Sequence, residues 1–599
     1  MPRHYKRITS KKELEKIIKQ AEVHCALDFE TTSLRPRDGR VRLVSLCSDE
    51  VHCVVDFDKI KGGFRAVAHL FETGTKWMVF NAGFELRWFQ DAGASPHIFD
   101  VLNMRKAVLG GGGLSLKLMA KFDLDEDIAK DEQASNWGAK VLTDSQWDYA
   151  FDDADVTWRL FQYWNEKMDP HQWDAAHMFN DMVPAVIEME EAGMKLDPHA
   201  HAQLVSRWRQ MLAERVDTLR EMVDQSEVPN LNSNTQWNDF FLVALEGQDQ
   251  LLSGWPRTEK TGQLQITREA LMLIAGHVRG AWPELAQLCD SLSEYKKIEK
   301  YISSFGDSLI NSRHDDGRVR ARFNIGAAKT GRFSSSGPNL QQMPRNQADF
   351  FGIEDMSIRR SFIAEKGRKL VSLDYSGIEL RVLALLSGDA QLLHDCVHGD
   401  LHAEVASFGA GYQIDKSTPE GKALRTNAKA VSFGIIYGSG ATGLAATMKT
   451  TIDKAQAYIE FWADRYKAAF ELRNTMMDEA LRTRSIRMVD GGTIYMGKRP
   501  DLPKCANYPV QRAALSIMAR AIYRHKITLD AVRRGWGPES ALMLSTIHDA
   551  LIDEVINQKA DKVLQLMEHD MVAAYLDVFP GAPVEGLVEG GVGNNWGEL

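Results

Sequence analysis

Asp374 and Asp549 each close a short apolar run of strand character and stand before turn-compatible residues, in VSLDYSGIELRVLALL (371–386) and MLSTIHDALIDEV (543–555). Taken singly, an aspartate after a strand is a turn residue or a cap. Taken together, two acidic strand tips from distant segments are what a two-metal phosphoryl-transfer site needs. Divalent ions about 3.5–4 Å apart activate the attacking oxygen and stabilise the leaving one. Such ions are held by one or two protein carboxylates, with substrate phosphates and water completing the shell. The surrounding segments decide between the two readings.

The chain has 599 residues, enough for at least three units at about 100–200 residues each. Hydrophobic residues at 44% and charged residues at 26% fit a soluble globular protein rather than a membrane or disordered one. No apolar run reaches the roughly 18 residues of a membrane span. The N-terminus MPRHYKRITSKKELEKIIKQ lacks the apolar core of a secretory signal. Cys25, Cys47, Cys53, Cys289, Cys396 and Cys505 form no CxxC pair, so a zinc site or disulfide framework is not expected and a reducing compartment is. The net charge of −10 does not announce nucleic acid, but phosphate binding needs a basic groove, not a basic protein.

The chain reads as two α/β regions joined by a helical stretch. VHCALDFE, RVRLVSLCS and VHCVVDF within 23–56 predict a β-meander, and WMVFNAG (77–83) a further strand. From 145 to 195 the apolar period is helical. Residues 196–310 continue it in runs such as HAQLVSRWRQMLAERVDTLREMV, with a polar insert TEKTGQLQIT (258–267). Strand character returns at RVRARFNI (318–325), and 350–599 mixes strands and long helices. The glycine run 110–113 is a loop.

In ALDFETTSL (26–34), Asp28 and Glu30 lie two apart on a strand and share a face. They repel unless a cation or proton lies between them; an exposed edge with solvated charges is the plainer alternative. FNAGFELRWF (80–89) adds Asn81 and Glu85. WDYAFDDADVTWRL (147–160) adds Tyr149 and Asp153, four apart on one helix face.

Toward the C-terminus, FNIGAAKTGRFSSSGPNLQQMP (323–344) carries Arg332, Asn339 and Gln341. An arginine fork can sense acceptors in a DNA minor groove without reading sequence, or belong to an ordinary Gly/Ser loop. In DYSGIELR (374–381), Glu379 lies near the acidic tip, able to block a ribose 2′-hydroxyl or simply to favour a helix N-terminus. In LRTNAKAVSFGIIYGSG (424–440), Arg425, Lys429, Phe433 and Tyr437 recur every four residues as one stripe, cations toward the positive helix end and aromatics beyond. A plain amphipathic helix does not require that order. GDLHAE (399–404) offers His402 to phosphate. KCANYPVQRAALSIMARA (504–521) places Asn507 and Gln511 on one helix face, and His548 and Asp549 occupy a hairpin tip.

These segments resemble two families. The first set resembles DnaQ-like 3′–5′ proofreading exonucleases through D-x-E, N-x₂₋₃-[FY]-D and Y-x₃-D. That resemblance implies a ribonuclease H-like fold in which Asp28, Glu30, Glu85 and Asp153 hold two Mg²⁺ or Mn²⁺ ions and Tyr149 positions the nucleophile. The second set resembles motifs A, B and C of family A DNA polymerases, the bacterial DNA polymerase I and phage type, over nearly the whole chain to VGNNWGEL (592–599). It implies an α+β right hand in which Asp374 and Asp549 bind two catalytic metals. Arg425, Lys429 and His402 would hold the triphosphate, with Lys429 protonating the leaving pyrophosphate. Phe433, Tyr437, Tyr375 and Ser376 would line the nucleotide pocket, and Glu379 exclude ribonucleotides. Arg332, Asn339, Gln341, Asn507, Gln511 and His548 would contact DNA. The implied division is an exonuclease domain at 1–165 and a polymerase domain at 166–599, with thumb near 196–310, palm near 311–395 and 490–599, and fingers near 396–489.

The sequence departs from the family pattern at three places. Glu85 stands where the exonuclease motif carries aspartate. Gly377 stands where bacterial enzymes carry glutamine, and Ala550 replaces the glutamate of the usual His-Asp-Glu. Phe433 in place of tyrosine resembles members that discriminate against dideoxynucleotides. The resulting expectation is a monomeric, cytoplasmic DNA polymerase of phage replication, with primer-template DNA, dNTPs and a replisome or processivity factor as partners and no 5′-nuclease domain. The alternatives are a nuclease with a degenerate polymerase half, a single-subunit RNA polymerase and a non-catalytic DNA-binding scaffold.

Overall fold

The computed structural model describes residues 4–599 apart from 22, 129–131, 224–228, 259, 345–356 and 449. The N-terminal part is built on a mixed sheet of β1 (Lys6–Ile8), β2 (His24–Thr31), β3 (Val41–Cys47), β4 (His52–Asp56), β5 (Lys76–Val79) and β6 (Ile98–Asp100), in the order β1-β4-β3-β2-β5-β6. The expected meander is present: β2, β3 and β4 pair antiparallel in sequence order. β5 and β6 extend the sheet in parallel beyond β2.

Alternation along β2 sorts its side chains. Leu27 and Phe29 enter the core that holds Phe64 and Phe89. Ala26 enters the other core, which holds Ala150 and Ala154 of the helix Asp144–Lys167. By the two-residue period Asp28 and Glu30 share Ala26's face. That long helix starts at a capping box between Thr143 and Gln146, which satisfies two orphan amides at once.

The middle of the chain is helical, as its period requires. The helices Pro198–Met222 and Pro283–Phe305 carry a separate core around Trp237, Phe241 and Trp255. The polar insert turns back on itself through a bridge between Arg257 and Leu264. Next come a three-stranded sheet of β7 (Met194–Leu196), β8 (Arg318–Val319) and β11 (Phe362–Ile363), in the order β11-β7-β8, and a hairpin of β9 (Arg322–Asn324) and β10 (Ser334–Ser336).

The C-terminal sheet is antiparallel throughout. It contains β12 (Arg368–Tyr375), β15 (Ala541–Ile547), β16 (Ala550–Ile556) and β17 (Val588–Gly593), in the order β15-β16-β12-β17. Ahead of β15 in the chain, β13 (Ser485–Arg487) and β14 (Thr493–Tyr495) form a small hairpin of their own. The helices Leu502–Trp536 and Ala560–Val578 pack together behind the sheet. The stripe helix runs from Pro419 to Ile436, one residue short of Tyr437, and Gly438 at φ 79° turns the chain away. No helix among the described residues is long and apolar enough to cross a membrane.

Candidate active sites

In the N-terminal part, ligand oxygens of Asp28, Glu30 and Asp153 all lie within 4.8 Å of one another. Glu85 stands beside them in the first turn of its helix, Gly83–Asp91, and is only 2% exposed. Burial, reinforced by the Asp28 carboxylate, pushes its carboxyl well above the usual range. One of its oxygens, Oε2, is buried without a hydrogen-bond partner. Carboxylates gathered this closely, one with an unspent oxygen, fit a divalent cation as their countercharge. Tyr149 is buried, and desolvation and Asp153 together push its phenol up. All five expected exonuclease residues are thus brought together.

The second site forms at one end of the C-terminal sheet. Asp374 is the penultimate residue of β12 and pairs across the sheet with Ala550, the residue after Asp549. The Asp549 carbonyl accepts a hydrogen bond from the Tyr375 amide at 3.2 Å. Two tips distant in sequence therefore meet because β12 lies beside the β15–β16 hairpin. His548 holds that turn in the left-handed region at φ 54°. Burial raises Asp549 to about 6; Arg332 opposes the rise, while Glu379 and Asp374 add to it. The charges of this pair also call for a cation.

Glu379, on the first turn of the helix Ile378–Ser387, links the acidic strand tips to the stripe. Arg332 is ion-paired to its Oε1. Tyr437 Oη donates to its Oε2 at 2.6 Å. Phe433 follows Tyr437 at 5.7 Å between ring centroids, and His402 lies 6.1 Å from Phe433. Lys429 Nζ is 5.9 Å from the Phe433 centroid and its side chain is exposed. Burial, then the charges of Arg425 and Lys429, lowers His402 to about 4. A neutral His402 is a hydrogen-bonding group rather than a cation toward a phosphate. Arg425 Nε donates to both oxygens of Asp400, at 3.0 and 2.8 Å.

The remaining expected residues divide. The His548 ring interacts with the backbone of Gln341, so that loop lies at the hairpin tip. Asn339 Oδ1 caps the turn that follows, accepting from the Gln341 amide at 3.1 Å. Asn507 and Gln511 lie on the helix Leu502–Trp536, and Asn507 Oδ1 is buried without a partner. Ser376 offers its amide to the Leu587 carbonyl at 2.8 Å. Tyr375 needs correction as a side-chain contact to nucleotide. Its phenol is turned into the core, where Oη donates to the Met571 carbonyl at 2.6 Å, so only its backbone reaches the site.

One of the departures has a structural reason. Gly377 adopts φ 59° at the strand-to-helix turn, a conformation glycine takes without steric cost. Ala550 sits directly opposite Asp374 in the sheet, where the family's glutamate would stand beside the pair, and nothing in the structure explains its replacement. Sequence reasoning missed Asp400, although it stands two residues before His402. It also missed Arg359, whose guanidinium lies 4.3 Å from the Trp596 ring centroid and donates to the Met343 carbonyl at 2.9 Å.

A cavity of about 1020 Å³ lies between the N-terminal part and the β9–β10 region. Arg35, Arg37, Arg320 and Arg322 are among its lining residues, and Asn81 and Gly83 place one wall beside the Glu85 helix.

Comparison with known proteins agrees with this geometry. The model of DNA polymerase family A matches residues 201–598, and a 3′-5′ exonuclease model matches residues 5–169. DNA polymerase I of Pseudomonas aeruginosa is 31% identical over 497 residues, covering 78% of this chain and 50% of that protein. The thermostable DNA polymerase I of Thermus aquaticus is 33% identical over 355 residues, 57% of this chain and 39% of that protein. The chain thus spans about half the length of the former relative and less of the latter. A solved structure described as the POL domain of Pol1 from M. smegmatis in complex with DNA primer-template and dNTP shares the fold, with a TM-score of 0.79, 22% identity and 99% coverage of both chains. With its family model matched across the whole C-terminal two thirds, and an exonuclease model ahead of it, this chain belongs to DNA polymerase family A.

Proposed function

We propose that the protein extends a DNA primer with dNTPs at the Asp374–Asp549 site and removes mispaired 3′ ends at the Asp28–Glu30–Asp153 site. The observation that carries this reading is the single connected path from two acidic strand tips, through Glu379 and Tyr437, to the Phe433–Lys429–Arg425 stripe. The division into an exonuclease domain at 1–165 and a polymerase domain at 166–599, with thumb, palm and fingers, is supported by the separate sheets and helical cores. The enzyme acts as a monomer on primer-template DNA.

Asp374 and Asp549 would hold two Mg²⁺ or Mn²⁺ ions at the polymerase site, and Asp28, Glu30, Asp153 and Glu85 two more at the exonuclease site. When bound, such ions lower the pKa of an attacking oxygen and neutralise charge on the leaving one. The chain's own residues do the rest. Arg425 and Lys429 bind the triphosphate, which must draw Arg425 away from Asp400. Lys429, exposed at the open side, donates a proton to the departing pyrophosphate as the primer 3′-hydroxyl displaces it from the α-phosphorus. Glu379, clamped by Arg332 and Tyr437, fills the space a 2′-hydroxyl would need. Tyr149 orients the water that attacks the terminal phosphodiester at the other site. Positioning and charge neutralisation carry most of this chemistry.

The test is primer extension with and without Mg²⁺, on matched and mismatched 3′ ends, for the wild type and Asp374→Ala. The wild type should extend the matched primer and trim the mismatched one, both only with metal. Asp374→Ala should trim without extending. Primer trimming by the wild type with no extension at any dNTP concentration would sink the polymerase reading.

A further inference from the structure

Away from both carboxylate sites, the N-terminal domain grips one loop of the polymerase domain by its backbone. That loop, residues 325–333, is the tip of the β9–β10 hairpin and carries Arg332. The Gly111 amide donates to the Lys329 carbonyl at 2.9 Å, and the Gly112 amide to the Gly326 carbonyl at 2.8 Å. Lys329 returns the contact, its Nζ donating to the Leu109 carbonyl at 2.8 Å, the last residue of the helix Val101–Leu109. A cation at that end meets the negative pole of the helix. Lys106, 5% exposed, sends Nζ to the Ile325 carbonyl at 2.8 Å and to Asn103 Oδ1 at 3.2 Å. A buried ammonium is tolerated only where acceptors receive it, so Lys106 is committed to this joint.

The strap has to be glycine. A Cβ on Gly111 would stand 1.9 Å from the Ala328 carbonyl oxygen and 2.8 Å from that of Gly326. From the opposite side, Arg512 Nη1 donates to the Thr330 carbonyl at 3.3 Å. The tip is therefore clamped between the N-terminal domain and the helix Leu502–Trp536, while Arg332 projects from it to Glu379. The helix behind the strap also reaches the other site. Its cap Asp100 accepts from the amides of Asn81 at 3.2 Å and Ala82 at 3.0 Å, the residues just ahead of the Glu85 helix. Simple domain adhesion needs only side-chain contacts. Main-chain bonds to a loop tip fix that loop's position instead, and loops are otherwise the mobile parts of a fold.

We propose that the glycine strap 110–112, with Lys106 and Lys329, is a positioning device for Arg332, through which the exonuclease domain sets how strictly the polymerase site rejects a mispaired primer end. This rests on the reading of Arg332 as the primer-terminal minor-groove contact. A loosened loop costs a well-formed primer end its Arg332 contact, whereas a mispaired end has little of that contact to lose.

The experiment uses the full chain with its exonuclease silenced by Asp28→Ala and Glu30→Ala, and follows single-turnover extension of matched and mismatched primers. Gly111→Ala and the milder Lys329→Met should each lower the matched-to-mismatched rate ratio about tenfold, the scale of coupling through packed contacts. Lys329→Arg should restore it. Gly113→Ala, where an added Cβ meets nothing within 4 Å, should leave the ratio at the parent value. An unchanged ratio in both Gly111→Ala and Lys329→Met overturns the proposal. So does an equal loss on both primers, which is what a general folding defect produces. If the silenced parent extends no primer at all, the polymerase reading itself fails and this proposal falls with it.

Discussion

Glu379 shows how much one side chain can be asked to hold. It is 8% exposed, and each of its oxygens is taken, one by Arg332 and one by the Tyr437 hydroxyl. Glu379→Ala would open space at the sugar and release both partners, so ribonucleotide incorporation should rise about tenfold or more relative to dNTP. Competition between NTP and dNTP in primer extension checks this; an unchanged ratio removes the gate role. Asp374→Ala or Asp549→Ala should slow extension by about 10³-fold or more, the loss of roughly 4 kcal/mol of transition-state stabilisation, while trimming of single-stranded ends persists. At this scale the sequence was informative where chemistry and spacing agree, as for the stripe from Arg425 to Tyr437. It misled at Tyr375. Strand parity explains why: Asp374 faces the site, so the next residue must face the other way, and Tyr375 donates to Met571 in the core.

Two helices behind the C-terminal sheet meet one of its strands at His525, which is fully buried on the helix Leu502–Trp536. Its Nε2 lies 2.7 Å from Asp553 of β16, and its Nδ1 lies 2.9 Å from Asp570 of the helix Ala560–Val578. Burial works against a charged ring, but the two carboxylates outweigh it and raise His525 to about 9. The folded value lies above the ordinary one of about 6.5. The stabilisation is therefore fully present below pH about 6.5 and fades as pH rises through about 9. His525→Leu should cost about 3–5 kcal/mol by leaving buried carboxylates unpaired. It should also flatten the fall in melting temperature between pH 7 and 10, followed by circular dichroism. A variant as pH-sensitive as the wild type would show that the joint does not titrate. Nothing in the sequence marks this joint, because a lone helical histidine carries no signal until folding supplies its partners. The β15–β16 hairpin was legible because turn and strand residues are local. The edge strand β17 was not, since its glycine-rich VEGGVG has weak strand preference and is held by pairing with β12.

Across the whole molecule, the proposed function requires one primer end to pass between two sites of the same chain. A net charge of −10 is no guide to the local field: the cavity beside the Asp28–Glu30–Asp153 site gathers Arg35, Arg37, Arg87, Lys106, Arg320 and Arg322 against Asp91, Asp100, Glu190 and Glu191. Arg320 is held by Asp316, with an ion pair at 2.5 Å, whereas Arg35 and Arg37 stand exposed on the loop that follows β2, Arg37 with Asp38 no nearer than 3.8 Å. Composition could not reveal this, because local charge arises from two segments that only the fold makes neighbours. If a frayed strand runs through the cavity, its phosphates displace counterions on those arginines. For single strands each phosphate contact adds about 0.7 to the slope of log affinity against log salt, so Arg35→Ala with Arg37→Ala should lessen that slope by about 1.4. The measurement is anisotropy of a primer-template with an unpaired 3′ end across a salt series. A fully paired primer-template, whose end stays at the polymerase site, should lose none of its slope in the same variant. Equal losses on both DNAs would place these arginines on the duplex instead and remove the cavity from the path between the sites.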